Sequence, residues 1–387
     1  MAELRQNTWE TDSWYAQYVA GNVEYAGAQG LYTWGGSTYG DSGRNTSGPS
    51  VYVSSPAQVG AGENWYNISG YGDGFTYCAS KTNGTLWAWG WNDDGQLMQN
   101  DRTNRSSPVQ VPGTDWAISG AGGNANVWGI KTDGSLWGAG NNGYGALGQN
   151  NTTKYSSPMQ VPGTWSTAKN KFGGNHRAAA AIKADGTLWA WGENESGWLG
   201  QNNTTNYSSP RQIGTDTDWD TISKPPRYLQ AAIKTSGELW VWGSGNKGQF
   251  GTNQSGDNYR RSSPVQVPGT TWKLVCGGVD SVNATKTDGT LWSWGSNTWG
   301  ALGHNNETFR SSPTQLPGTD WDIPLNFDRV TGGIKTNGTL WLSGRNDIGR
   351  IGDNTTTTYS SPVQIPGSWV DMGGSGELTS LAAINLL

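Results

Sequence analysis

Gly186-Thr187-Leu188-Trp189-Ala190-Trp191-Gly192 (GTLWAWG) decides how this 387-residue chain is read. The string recurs unchanged at Gly84–Gly90. It returns as GSLWGAG from Gly134, GELWVWG from Gly237, GTLWSWG from Gly289 and GTLWLSG from Gly338, with a weaker copy, GLYTWGG, from Gly30. The leucines fall at Leu31, Leu86, Leu136, Leu188, Leu239, Leu291 and Leu340, at steps of 49 to 55 residues. A fixed period of that size marks a repeat architecture, in which one unit cannot bury its apolar face without its neighbours.

Two more anchors keep the period. Ser-Ser-Pro ends at Pro56, Pro108, Pro158, Pro210, Pro264, Pro313 and Pro362. A tryptophan follows each: Trp65, Trp116, Trp165, Trp219, Trp272, Trp321 and Trp369, with Trp14 as an eighth member. Within the unit, Ala-Ile-Lys runs (Ala181–Lys183, Ala232–Lys234) lead into Asp-Gly or Asn-Gly at Asn83-Gly84, Asp133-Gly134, Asp185-Gly186, Asp288-Gly289 and Asn337-Gly338. Such a step between two apolar runs predicts a β-hairpin, read here as a type I′ turn. A Gly-rich turn, a polar loop and a P-x-Q-V strand complete about four strands per unit. No stretch sustains a 3.6-residue apolar period. The prediction is an all-β, seven-bladed β-propeller of about 51-residue repeats.

A propeller must close, or its edge strands stay open to pairing. Leu381–Asn385 mimics the Ala-Ala-Ile-Lys run and stops where a hairpin would begin, whereas Val23–Gly27 matches it poorly. The C-terminal strand is therefore expected to complete the blade that begins at Leu31. On this reading residues 1–27 form an N-terminal docking arm and 28–387 the propeller, with 369–387 as its closing segment. Nineteen of the 24 tryptophans sit in register, in Leu-Trp, Trp-Gly or post-proline positions, and read as core packing between blades. Cys78 and Cys276 lie in unlike contexts and predict no disulfide framework.

Composition narrows the function. Charged residues are 14% of the chain, against roughly 25% in ordinary domains, and the net charge is −5. That balance, without clustered Lys/Arg, argues against a nucleic-acid surface. No run of about 18 apolar residues is present, so membrane insertion by a helix is not expected, and Met1–Glu10 lacks the features of a secretory signal.

The repeat resembles that of the regulator of chromosome condensation family, whose unit runs from a hairpin through L-W-x-W-G into G-x-N-x-x-G-Q-L-G and a P-x-x-V strand. The second block appears from Gly90, Gly140, Gly192, Gly243, Gly295 and Gly344, and the family's G-x-x-H signature once, at Gly173–His176. The resemblance implies a seven-bladed propeller over essentially the whole chain. The family's founding member is a nucleotide-exchange factor for a nuclear GTPase and binds histones, but its exchange loops match no residues here. The near-identity of YSSPMQVPGT, YSSPRQIGT and YSSPVQIPGS is more similar to bacterial and bacteriophage propellers. Asn7-Thr8-Trp9, Trp14-Tyr15 and Val19–Asn22 are similar to the leader of phage virion or tail-fibre components.

No catalytic or metal constellation stands out. His176 and His304 occupy different repeats and frames; the first reads as an inner-strand residue, the second as a solvent-facing loop residue. Asn92-Asp93-Asp94-Gly95 lacks the acidic series of a calcium loop and reads as a turn. No cofactor is expected. Candidate binding residues are those that break the repeat: Trp91, Trp198 and Trp299, in or beside the G-x-N-x-x-G turn. A second set, Tyr155, Tyr207, Tyr259, Phe309 and Tyr359, shares one frame before Ser-Ser-Pro and forms either an aromatic rim or the base of the loop. Trp9, Trp14 and Tyr15 are candidate docking residues.

The reading is thus a non-enzymatic structural or adhesive protein of a bacteriophage virion, located in the particle, docked to other virion proteins through its N-terminus. Its loops would meet a cell-surface glycan or protein receptor, and a homo-oligomer is compatible with the sequence. The alternatives are a carbohydrate-binding, lectin-like propeller and an exchange-factor-like interaction protein.

Overall fold

The computed structural model describes residues 29–61, 64–70, 75–122, 126–174, 177–223, 229–256, 259–327, 329–374 and 380–386. At each hairpin the turn carbonyl accepts from the glycine N–H, as from Gly84 to Lys81 at 3.0 Å, and the glycine alone takes a left-handed φ, +77° to +81° from Gly84 through Gly338. Asn83 and the aspartates keep negative φ. The turn is therefore type I followed by a left-handed glycine, not the type I′ turn expected from the sequence. The extra residue lets the Asn or Asp side chain cap the turn: Asp185 Oδ1 accepts from the Thr187 N–H at 3.0 Å and from Thr187 Oγ1 at 2.6 Å.

Seven four-stranded antiparallel sheets result. Blade 1 comprises Trp65–Ser69, Thr76–Lys81, Leu86–Gly90 and Arg105–Val111. Blades 2 to 6 repeat that order and end on Tyr155–Val161, Tyr207–Gln212, Arg260–Val267, Arg310–Gln315 and Tyr359–Ile365. First strands of neighbouring blades pack on one another around the axis. Blade 7 takes its inner strands, Trp369–Gly374 and Ser380–Leu386, from the C-terminus and its outer strands, Gln29–Ser37 and Gly48–Gln58, from the N-terminal part. Leu31 pairs with Ile384 and Trp34 with Leu381. The C-terminal strand closes the ring; Val23–Gly27 lies outside the described residues.

The apolar core is divided into seven clusters, each lying between adjacent blades. The Trp-Gly indoles are the wedges. Trp34, Trp89, Trp191, Trp242 and Trp294 are fully buried. Their indole N–H groups donate to carbonyls of the preceding blade's turn: to Arg350, Asp41, Ala146, Trp198 and Gln249, at 2.7–3.0 Å. Each ring lies over a glycine; a Cβ on Gly148 would stand 3.1 Å from Trp191 Nε1. One such indole removes ~150–250 Å² from water, about 4–6 kcal/mol as an upper estimate before entropy.

Ser-Ser-Pro receives the same turns. Backbone N–H groups of Asn45, Asn100, Asn150, Asn202, Asn253, Asn305 and Asn354 donate across to Ser106, Ser156, Ser208, Ser262, Ser311, Ser360 and Ser54, at 2.6–2.9 Å. Each asparagine is left-handed, φ +56° to +63°, which its short amide tolerates.

The wedge is missing twice. In blade 2 Ala139 replaces it, and Met98 stands in blade 1 where the other turns carry glycine; both are buried in one cluster. In blade 6 Ser343 replaces it and keeps only the bond, to the Ala301 carbonyl at 3.1 Å.

Closure adds one ionisable contact. Asp41 of blade 7 accepts from Ser380 Oγ at 2.8 Å at the start of the closing strand, and Tyr77 of blade 1 donates to the Ser380 carbonyl. Burial pushes the Asp41 carboxyl up to about 6, against hydrogen bonds from Ser380 and the Tyr39 N–H.

Two outcomes are expected. Met98→Gly leaves a cavity and costs about 2–4 kcal/mol, Ala139→Trp alone overpacks, and the pair together approaches parental stability in urea unfolding; additive losses would contradict the wedge exchange. The unfolded Asp41 titrates near 3.8 and the folded one near 6, so its contribution is full below pH 4 and lost as pH rises to 6. From pH 4 to pH 7, Asp41→Asn should gain about 3 kcal/mol relative to the parent, and a pH-independent difference would refute the assignment.

Candidate functional site

The propeller has two unlike faces. On the hairpin face blades 1 to 6 each build a lysine clamp; blade 7 has Asn385 and Tyr32 at those places. Lys81, Lys131, Lys183, Lys234, Lys286 and Lys335 end the second strands, and each ammonium lies 3.7–5.8 Å from two indoles, the post-proline Trp and the Leu-Trp Trp of its blade. Lys131, Lys234 and Lys335 also pair with Asp115, Asp218 and Asp320 at 3.0–3.2 Å. The Leu-Trp indoles are held from beneath: Trp87, Trp137, Trp189, Trp292 and Trp341 donate to the hydroxyls of Thr85, Ser135, Thr187, Thr290 and Thr339 at 2.8–3.1 Å. The Thr and Ser hydroxyls in turn donate to the turn Asp or Asn, which holds Asp133, Asp185 and Asp288 below the usual carboxylate range. These five tryptophans and Trp240, read from sequence as core, are only half-buried. They are walls of a clamp, each with a lysine ammonium over its ring. Blade 4 lacks the hydroxyl: Glu238 stands there, and Trp240 Nε1 is buried without a partner.

The opposite face carries the G-x-N-x-x-G turns. An asparagine staples five of them: Asn92, Asn142, Asn194, Asn297 and Asn346 are fully buried and accept from the N–H five residues on at 2.8–2.9 Å, and in blade 7 Ser37 Oγ accepts from the Ser42 N–H at 3.3 Å in the same way. Asn92-Asp93-Asp94-Gly95 is one of these turns. Among the described residues no group of three His, Cys, Asp or Glu is placed to hold a metal.

Turn apices project the residue before the second glycine. Three are aromatic and exposed: Tyr39 (39%), Tyr144 (39%) and Trp299 (40%). Each meets the next blade. Tyr39 packs on Phe75 at 4.6 Å and on Trp91 at 6.2 Å. The Arg177 guanidinium lies 5.0 Å from Tyr144, and that of Arg345 5.2 Å from Trp299.

The sequence-derived candidates divide accordingly. Trp299 is exposed and Trp91 half-buried in the Tyr39 cluster. Trp198 is 6% exposed and donates to the Glu193 carbonyl; it lies after the second glycine and points inward, so it offers no binding surface. Tyr155, Tyr207, Tyr259 and Tyr359 are half-buried against the inter-blade clusters, and Asn151 and Asn203 donate to the Tyr155 and Tyr207 hydroxyls at 3.1 Å. They pack the loop base, and only Phe309 of that set is exposed. His304 is not solvent-facing: it is half-buried with Nε2 2.9 Å from Ser293 Oγ. Trp9, Trp14, Tyr15 and His176 lie outside the described residues. Tyr39 and Tyr144 were missed, although S-T-Y-G and N-G-Y-G share the frame of N-T-W-G around Trp299.

A mixed cavity of about 150 Å³ is lined by Asn67, Lys169, Asn170, Asp322 and Asp371 together with Leu274, Val275, Ile323, Pro324 and Val370. Blade 3 has four more residues between Trp165 and its inner strand than blade 4 has at the same place, and from that segment Lys169 reaches blade 1, donating to the Tyr66 carbonyl at 2.9 Å.

This architecture is that of a repeat propeller, and comparison with known proteins gives its family. The Regulator of chromosome condensation (RCC1) repeat matches residues 83–126, 133–179, 185–223, 236–283 and 288–322, more than half of the chain. The chain belongs to that family. Human E3 ubiquitin-protein ligase HERC2 is 31% identical over 134 residues, 34% of this chain and 3% of that protein. Human protein RCC2 is 30% identical over 128 residues, 33% of this chain and 24% of that protein. The chain thus spans a small part of these relatives. Among solved structures, Prp20p from Saccharomyces cerevisiae superposes with a TM-score of 0.81 at 16% identity, over 93% of this chain and 92% of that one. Human WBSCR16 does so with 0.77 at 16%, over 93% and 99%. At such identity the likeness is one of fold.

Replacing Glu238 by Thr should give Trp240 its missing acceptor and raise unfolding free energy by about 1 kcal/mol. Unchanged stability in urea would show that the hydroxyl is dispensable to the clamp.

Proposed function

We propose that this chain is a non-catalytic binding scaffold that meets its partner with the turn face. The observation that carries this is the set of exposed apices, Tyr39, Tyr144 and Trp299, on rigid stapled turns beside Phe75, Trp91, Arg177 and Arg345. Aromatic and arginine side chains held rigid lose little entropy on binding and dominate interface energetics. Catalysis would need a titratable pair in a cleft, whereas the hairpin aspartates cap turns or close lysine clamps, Asp371 accepts from Asn67 and the Ile68 N–H, and Asp322 pairs with Lys273.

The finer reading is a structural or adhesive component of a bacteriophage virion, mounted through residues 1–27 with Trp9, Trp14 and Tyr15 as docking side chains. Its support is the leader and the near-identical polar repeats. A lectin-like role is the second reading, favoured by the indole-rich surface. An exchange-factor-like role draws on Prp20p, described with its binding to Gsp1p and histones.

Two measurements test the proposal. Particles from the source culture, banded on a density gradient, should contain the chain, and a version lacking residues 1–27 should not co-band. The triple variant Tyr39→Ala, Tyr144→Ala, Trp299→Ala should bind isolated host envelope at least about tenfold more weakly than the parent, while melting at the same temperature. Envelope binding unaffected by the triple variant would overturn the turn-face reading, and stimulated nucleotide release from a small GTPase would favour the exchange role.

A further inference from the structure

The two places where the wedge tryptophan is absent are resolved differently. Between blades 1 and 2, Met98 fills the space beside Ala139. Between blades 5 and 6, Ser343 replaces the wedge while Gly303 stays glycine, and Leu316 and Pro362 close over it, 2.8 and 3.3 Å from where a Cβ on Gly303 would stand. The cluster at that junction has just three buried apolar side chains among the described residues, Leu291, Leu316 and Trp321. A second substitution acts on the same groove. In blades 1 to 3 a turn glutamine ties the turn to the outer strand: Gln99, Gln149 and Gln201 donate to the carbonyls of Gln110, Gln160 and Gln212 at 2.8–3.1 Å. In blade 5 that residue is His304, which turns inward to Ser293 and leaves the Gln315 edge unbridged.

Beside this junction lies an open groove of about 530 Å³, bounded by Gly303, His304, Gln315, Trp321, Lys335 and Trp341 among others. That volume falls within the ~300–1,000 Å³ of small-molecule sites. We propose that this groove binds a neutral saccharide of one or two hexose units.

Three features select that chemistry. The apolar wall is the half-buried Trp341 with Pro317 and Pro362, a flat surface for the C–H face of a pyranose. Trp341 is held in place by Thr339 and Lys335, so little order is lost on binding. The rim offers Gln315, Asn305 and Ser361, which suit a ring edged with hydroxyls and would go unpaired against a purely aromatic ligand. Net charge is absent: Lys335 is matched by Asp320 at 3.0 Å, and burial, with Arg310 nearby, holds His304 below the ordinary imidazole value. An anionic ligand would find no unmatched cation at the wall.

This deepens the carbohydrate reading but does not depend on the turn face. The test is saturation-transfer NMR of the whole chain with cellobiose, lactose and diacetylchitobiose, each up to about 50 mM, the weak range expected of so small a ligand. At least one should show saturable transfer. Trp341→Ala removes the stacking wall, and Gln315→Ala removes a polar group of the rim. Each should weaken binding at least about tenfold. No saturable transfer from any of the three, or parental affinity in either variant, would overturn the proposal. If the groove fails while the triple turn-face variant still loses envelope binding, the scaffold reading stands without it.

Discussion

An indole N–H donated into the neighbouring blade is the interaction on which the rest of this molecule depends. It joins two requirements in one side chain. The ring fills the widening gap between radial sheets, and its single polar atom finds an acceptor that would otherwise be buried unpaired. That acceptor is a turn carbonyl of the preceding blade, so the turn must approach closely. Glycine under the ring, the asparagine staple inside the turn and the Ser-Ser-Pro edge that receives it are all consequences of that approach. A repeat that keeps the tryptophan therefore has to keep the whole motif, which is why three separate anchors share one period.

The same economy divides the two faces. The hairpin face is regular because every element in it is locally determined: glycine turn, capping carboxylate, hydroxyl, indole and lysine follow one another along a few residues. A lysine held between two rings and beside an aspartate has little affinity left for a partner, so these clamps are mainly structural despite their exposed aromatic area. The turn face is built otherwise. Its staples are buried and constant, while its apices face outward and are free to vary, and variation concentrates where binding can be altered without loosening the ring.

Departures from the repeat carry the information about function. Ala139 with Met98 is a substitution with its complement, which restores packing and erases its own effect. Ser343 with Gly303 is covered by Leu316 and Pro362 and has no indole, and His304, turned inward, borders the groove beside it. A ring of seven junctions tolerates one thin junction because each cluster is separately closed by its own turn-to-serine bond; Asn305 still donates to Ser360 at 2.7 Å above the groove.

Period, blade count and the closing strand were legible in the chain itself. They depend on spacing and on local turn chemistry, and Leu381–Asn385 imitates a second strand closely enough to reveal its place. The turn type was misread, since Asp-Gly suits two hairpins and only the flanking hydrogen bonds distinguish them. Exposure was the harder quantity. Trp198 and Trp299 sit two positions apart in equivalent turns, yet one points beneath its turn and the other into water. Tyr39 and Tyr144 share the frame of Trp299 but are ordinary tyrosines until the neighbouring blade frames them. What the sequence determined by itself was the seven-fold plan, because repetition is a one-dimensional property. Which face of each ring stays wet, and which gap stays open, only the tertiary structure decided, because each depends on a residue some fifty positions away in the adjoining blade.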